Sequence, residues 1–144
     1  MLHSATHKTP VGELSIIVEE HVLLAAGFKS LENLKARLSP LDSDKEIKHI
    51  ENIPVISYLI SDYFDGNLNA FNPIKVRQPG AKFSQEVWKV MRKIPAGKTL
   101  SYAELAKRAG SADAIRAAGT ACGNNLIAPI IPCHRIIKSG GALG

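Results

Sequence analysis

A chain of 144 residues, 45% of them apolar, has material for one globular domain or two small ones, and it carries a net charge of +5. No apolar run approaches a membrane span and no basic-apolar leader opens the chain, so a soluble cytoplasmic protein with no membrane partner is expected. The two cysteines, Cys122 and Cys133, suit a reducing compartment, and with His134 they lack the paired ligand spacings of a zinc site. No metal and no cofactor is expected.

The first part of the chain predicts an α/β scaffold. Gly12 to Val18 and Val22 to Phe28 are apolar, β-branched runs joined by Glu19-Glu20-His21, which suggests an antiparallel hairpin. Leu31, Leu34 and Leu38 then recur at helical spacing between Ser30, an N-cap residue type, and Pro40, a stop. Asn52 and Pro54 open a second helix, in which Val55, Leu59 and Tyr63 form one stripe and Gly66 ends it. Phe71 to Val76 returns as a strand. His3, His7, His21 and His49 are scattered without ligand spacing and are assigned structural or surface places.

Composition shifts near Gln78-Pro79-Gly80, which sets a boundary between domains 1–79 and 80–144. Residues 1–80 carry eight Lys or Arg against ten Asp or Glu, whereas residues 81–144 carry ten against three. The balance moves from −2 to +7. A basic half beside an acidic one is the electrostatic footprint of a nucleic-acid-binding domain, because phosphate neutralisation supplies most non-specific affinity.

Within the basic half, Phe83, Val87 and Met91 line one face of a helix that Ser84 caps and Pro95-Ala96-Gly97 ends, with Trp88 in the core. Ser101-Tyr102-Ala103-Glu104 is a capping-box pattern that starts a short helix through about Ala109. Gly110 supplies a turn and Ala112 to about Ala121 forms the next helix, which completes a helix-turn-helix. Around Arg116 the residues Ala114, Ala117, Ala118, Gly119 and Ala121 leave almost no bulk. Such a helix suits either close packing or close approach to a surface.

The apolar run Leu126-Ile127-Ala128-Pro129-Ile130-Ile131 leads into Pro132-Cys133-His134-Arg135. Ala128 and Ile131 each precede a proline, so both are expected to run extended and to hold Cys133 at the end of a straight segment. A thiol there gains thiolate character from a nearby base or cation, and His134 and Arg135 are the candidates. On an extended strand these neighbours point to opposite faces, so His134 acts through a water.

Pro132-Cys133-His134-Arg135, together with Arg116-Ala117-Ala118-Gly119, Asn125 and Ser101-Tyr102-Ala103-Glu104-Leu105-Ala106, resembles the methylated-DNA-protein-cysteine methyltransferases, which repair 6-O-alkylguanine. The likeness runs from about Phe83 to the last residue. It implies an α/β fold: a small N-terminal α/β domain with antiparallel strands, and a mainly helical C-terminal domain with a helix-turn-helix and an active-site loop. It implies that Cys133 takes the alkyl group from 6-O-alkylguanine, or from 4-O-alkylthymine, in double-stranded DNA, and that His134 takes the thiol proton through a water. Tyr102, Asn125 and Ile136 are then substrate-binding residues, with Tyr102 helping to rotate the base and Asn125 bracing the loop. Arg116, Ala117, Ala118 and Gly119 belong to a helix in the minor groove, where Arg116 fills the gap left by the flipped nucleotide. Pro132 and Arg135 are structural. A monomer is implied, associated with the nucleoid through DNA, or nuclear in a eukaryote.

The family pattern continues past Ser139-Gly140-Gly141-Ala142-Leu143-Gly144 with a tyrosine and glycines that close the pocket and a helix whose glutamate polarises the histidine. A chain that extends past Gly144, or one with impaired transfer, is therefore expected. Two other functions stay open on the residues alone: a binding-only relative that recognises alkylated DNA, and a cysteine hydrolase built on Cys133 and His134. The second gives the helix-turn-helix no role.

Overall fold

The computed structural model of the chain describes residues 1–137; the Ser139 to Gly144 stretch lies outside the described residues. The fold is mixed α/β and divides into two compact units, the first Met1–Pro79 and the second beginning at Gly80.

The first unit is built on β1 (Leu2–Thr9), β2 (Gly12–Glu19), β3 (Val22–Gly27), β4 (Ile47–His49) and β5 (Lys75–Val76), in sheet order β4-β1-β2-β3-β5. β1–β2 and β2–β3 pair antiparallel, while the outer β4 and β5 add in parallel. Glu20 and His21 both have positive φ, the geometry of a two-residue hairpin turn whose twist matches its strands. Leu14 to Val18 are buried in succession, as expected of a central strand covered on both faces.

Helix α1 (Leu31–Ala36) packs on β2 and β3, and Ser30 Oγ accepts from Asn33 N at 3.1 Å, the expected cap. A single-turn helix, α2 (Pro40–Ser43), follows. The helix after Pro54 is α3 (Ile56–Phe64), but its buried positions are Ile56, Ser57 and Ile60, not the stripe of Val55, Leu59 and Tyr63. Val55 sits before the first turn at φ 68°, which rotates the helix by one position. Phe71 to Ile74 form turns instead of strand, and only Lys75–Val76 pair. His7 is structural: its Nε2 lies 2.7 Å from Ser57 Oγ, which also accepts from Ile53 N at 2.7 Å. That buried polar link ties β1 to α3.

Among its described residues the second unit packs three α-helices, α4 (Lys82–Arg92), α5 (Tyr102–Arg108) and α6 (Ile115–Gly123), with a two-stranded parallel pair β6 (Leu100–Ser101) and β7 (Ile136–Ile137). Helix α4 starts one turn earlier than Ser84 suggests, with Ala81 as its cap residue. Trp88 is core, and its Nε1 donates to Ala121 O at 2.9 Å, joining α4 to α6. Gly80 permits this placement, since a Cβ there would stand 2.6 Å from the indole. At α5, Ser101 Oγ accepts from Glu104 N at 3.1 Å, one half of the expected capping box. Gly110 at φ 107° makes the turn toward α6, which begins at Ile115. The helix-turn-helix is present, with a longer turn than the sequence suggests.

Candidate active site

Three pieces of backbone meet at Cys133: the last turn of α6, the loop after it, and a short 3-10 turn, Cys133–Arg135. The loop is not straight. Its Ala128–Pro129 peptide is cis, Ile131 N donates to Ile127 O at 2.8 Å, and Cys133 N donates to Ile131 O at 3.1 Å. The segment closes into a turn, and the Asn125 side chain bonds both of its ends, at Ile127 N and at Ile131 O. Cys133 and His134 thus follow each other on a 3-10 turn, not on the two faces of a strand.

Asn125 does the closing from a buried position. Its Oδ1 accepts from Ile127 N at 3.0 Å, and its Nδ2 donates to Ile131 O at 2.9 Å and to Cys133 Sγ at 3.2 Å. The backbone donor at Ile127 and the carbonyl at Ile131 fix which end of the amide faces the sulfur. A donor therefore faces the thiol. Arg135 leaves the turn the other way, and its Nη1 donates to Ile94 O at 2.7 Å. Pro132 is buried, and Ile136 is 2% exposed in β7 opposite Leu100, so its side chain belongs to the core.

The electrostatics favour a thiolate at Cys133. Hydrogen bonding from Cys122 lowers its pKa to about 7 against the opposing effect of burial, and Asn125 adds to the lowering. Cys122 is pushed strongly upward by its bond to Cys133 and by burial, so it keeps its proton. His134 is exposed, and partial desolvation and the Arg135 guanidinium hold its imidazole below the ordinary value. It is neutral at pH 7 and free to accept a proton. The Tyr102 phenol is raised by desolvation and by the sulfurs of Cys122 and Cys133, which keeps it a donor. It stands over α6, since a Cβ on Gly119 would meet the Tyr102 ring at 3.8 Å.

Helix α6 has two slim sides. Ala118, Ala121 and Cys122 are buried, and Ala118 is 0% exposed, so of the four residues expected at the minor groove Ala118 faces inward. Arg116 and Ala117 are exposed and Gly119 is partly so. Sequence reasoning missed two members of the site. Thr120 shares the outward face one turn after Arg116 and folds its hydroxyl back onto Arg116 O at 3.1 Å, which keeps that face low. Cys122 sits under Cys133. Helical spacing from Ala118 would have placed it on the inner side.

Residues 82–144 match the family model described as 6-O-methylguanine DNA methyltransferase, DNA binding domain. The chain is 34% identical over 140 residues to the methylated-DNA-protein-cysteine methyltransferase of Shigella flexneri, covering 94% of this chain and 81% of that protein. It is also 34% identical over 143 residues to the constitutive methylated-DNA-protein-cysteine methyltransferase of Bacillus subtilis, covering 99% of this chain and 85% of that protein. Its fold superposes on Mycobacterium tuberculosis OGT in complex with DNA with a TM-score of 0.77 at 30% identity, covering 99% and 82% of the two chains. With the Cys133 loop and its helix-turn-helix in one unit, these matches decide the assignment: the chain belongs to the methylated-DNA-protein-cysteine methyltransferase family.

Proposed function

We propose that the protein repairs DNA by moving an alkyl group from 6-O-alkylguanine in duplex DNA, and from 4-O-alkylthymine, directly to Cys133. In this reading residues 1–79 are a scaffold, and the unit beginning at Gly80 binds DNA and carries the acceptor. The protein acts as a monomer. The observation that carries the reading is the Cys133 thiol held at 3.2 Å by the buried Asn125 side chain, in the loop that follows the second helix of a helix-turn-helix.

The alkylated oxygen lies in the base-paired edge, so the nucleotide is rotated out at a cost of a few kcal/mol, less for a damaged pair. Arg116, on the exposed face of α6, fills the gap while Ala117, Gly119 and Thr120 let the helix approach the minor groove, which is only ~6 Å wide. The Cys133 sulfur attacks the alkyl carbon as its bond to the guanine oxygen breaks. His134 takes the thiol proton, through a water, before attack. Tyr102 donates a hydrogen bond to the departing base. The thioether formed has no route back to thiolate, so each molecule reacts once.

The test is mass spectrometry after incubation with duplex DNA containing 6-O-methylguanine. One methyl group per protein is expected on the tryptic peptide 117–135, with fragmentation placing it on Cys133 and not on Cys122. Binding without mass change, or repeated turnover, would overturn the proposal.

A further inference from the structure

The point at which α6 ends decides where Asn125 sits, and a side chain outside the loop bears on it. In an uninterrupted helix the carbonyl of Ala121 would accept from the backbone N–H of Asn125, four positions on. Here Asn125 N donates to Cys122 O at 3.3 Å, the tighter spacing of three, and Ala121 O accepts from the Trp88 indole Nε1 at 2.9 Å. The last carbonyls of a helix have no intrahelical donor, so whichever group takes each of them sets the direction in which the chain leaves. Trp88 is 4% exposed, and Gly80 lies so close to its ring that a Cβ there would stand 2.6 Å away. The indole is therefore fixed in place. Three positions on along α4, Met91 Sδ lies 3.8 Å from Cys122 Sγ. Helix α4 thus holds two successive residues of the last turn of α6, Ala121 by its carbonyl and Cys122 by its side chain.

We propose that Trp88 is a positioning residue for the alkyl acceptor: by occupying Ala121 O, its indole N–H ends α6 early and leaves Asn125 turned toward Cys133. The idea rests on Cys133 as the reacting group. Ala121 is 1% exposed, and a buried carbonyl left without a donor is costly. For Ala121 O the nearest remedy is the Asn125 N–H, which would extend the helix by a residue. With Asn125 in the helix, its side chain would point back toward the N-terminus of α6 and away from the loop that follows it. The amide would then leave Ile127 N, Ile131 O and the Cys133 sulfur, which it now meets at 3.0, 2.9 and 3.2 Å. A donor to the charged sulfur would go with it. The part of Trp88 that prevents this is one N–H, while its ring serves the core.

Trp88 is the only tryptophan of the chain, so producing the full chain with benzothienylalanine in place of tryptophan replaces the indole N–H by a ring sulfur at this position alone and keeps the shape of the ring. Two quantities are read. One is the Asn125 Cα chemical shift by NMR; the other is the pH at which iodoacetamide labelling of Cys133 is half-maximal, with fragmentation of peptide 117–135 to separate it from Cys122. In the isostere Asn125 should move toward helical shifts. The labelling midpoint should rise by about half a unit or more, a loss of roughly threefold in rate below the midpoint, because the thiolate loses a donor. Fluorotryptophan, which keeps the N–H, should leave both unchanged. An isostere protein that melts earlier with both quantities at wild-type values makes Trp88 a core residue only and overturns the proposal, as does an equal change with fluorotryptophan. If the isostere protein does not fold, the NMR coupling across the hydrogen bond to the Ala121 carbonyl carbon in the unsubstituted chain decides the matter: it must come from Trp88 Nε1, and coupling from Asn125 N overturns the proposal. Neither readout uses DNA, so failure of methyl transfer from DNA leaves this result standing or falling by itself.

Discussion

At Cys133 several groups compete over one proton, and Asn125 is placed to tip the balance from outside α6. It donates to the sulfur and to Ile131 O with the same nitrogen, so it sets both the charge of the thiol and the shape of the loop. Asn125→Asp keeps the shape of the side chain but replaces that donor with an acceptor and puts a like charge beside the thiolate. The Cys133 pKa should therefore move up from about 7, because both changes penalise the charged form. Iodoacetamide labelling at Cys133 should become half-maximal at a visibly higher pH. Leaving Ile131 O without its donor, while Ile127 N keeps an acceptor, should also cost about 1–3 kcal/mol, read as a lower melting temperature. An Asn125→Asp protein with the wild-type labelling profile would show that the amide only closes the loop. At this scale the sequence was informative about which residues gather, because Asn125, Cys133, His134 and Tyr102 all carry recognisable chemistry. It was silent on how they are joined. No pattern in the sequence places Cys122, which was read only as a free cysteine, between Met91 and Cys133.

At the scale of elements, local signals with a chemical cause were legible and those set by packing were not. Ser30 and Ser101 announce helix starts because a hydroxyl satisfies a free backbone donor, and both do so. The β2–β3 hairpin follows from two apolar runs around a short polar link. Strand β1 went unread because two of its inward positions are Ser4 and His7, buried polar residues whose partners, His49 and Ser57, lie 45 and 50 positions away. No local pattern encodes a bond of that range. The loop before Cys133 is likewise a turn where a straight segment was expected, since it is closed by the side chain of Asn125. Helix α6 sits between these cases. Both meanings of its small residues are realised, Ala118 and Ala121 inward for close packing, Arg116 and Ala117 outward. If Arg116 only fills the space of the flipped nucleotide, Arg116→Ala should slow repair of duplex DNA at least tenfold more than reaction with free 6-O-alkylguanine base, which needs no flipping. Equal loss of both reactions with an unchanged melting temperature would instead make Arg116 part of the alkyl pocket.

For the whole molecule the governing quantity is the distribution of charge. The unit that begins at Gly80 carries ten Lys or Arg against three acids, while residues 1–80 carry a small excess of acids. A uniformly basic protein would be drawn to DNA in any orientation; one that is basic in a single unit is drawn with that unit first. Arg116 and Lys107 are exposed on the helix-turn-helix, and Lys82 and Lys89 are exposed on α4. Each phosphate they neutralise releases condensed counterions, so log K should fall linearly with log salt at a slope of about −0.9 per contact. With roughly four contacts, affinity should drop by about 150-fold between 50 and 200 mM salt. Sequence should matter little, because contacts to phosphates fix register without reading bases. Cys133→Ala is the right protein for the measurement, since it cannot be consumed during titration and a half-buried thiol contributes little to phosphate binding. Fluorescence anisotropy with two unrelated duplexes at several salt concentrations gives both slopes at once. Parallel steep lines are expected. A flat salt response, or lines of different slope for the two sequences, would move recognition from the phosphates to the base edges and with it the role assigned to the basic unit.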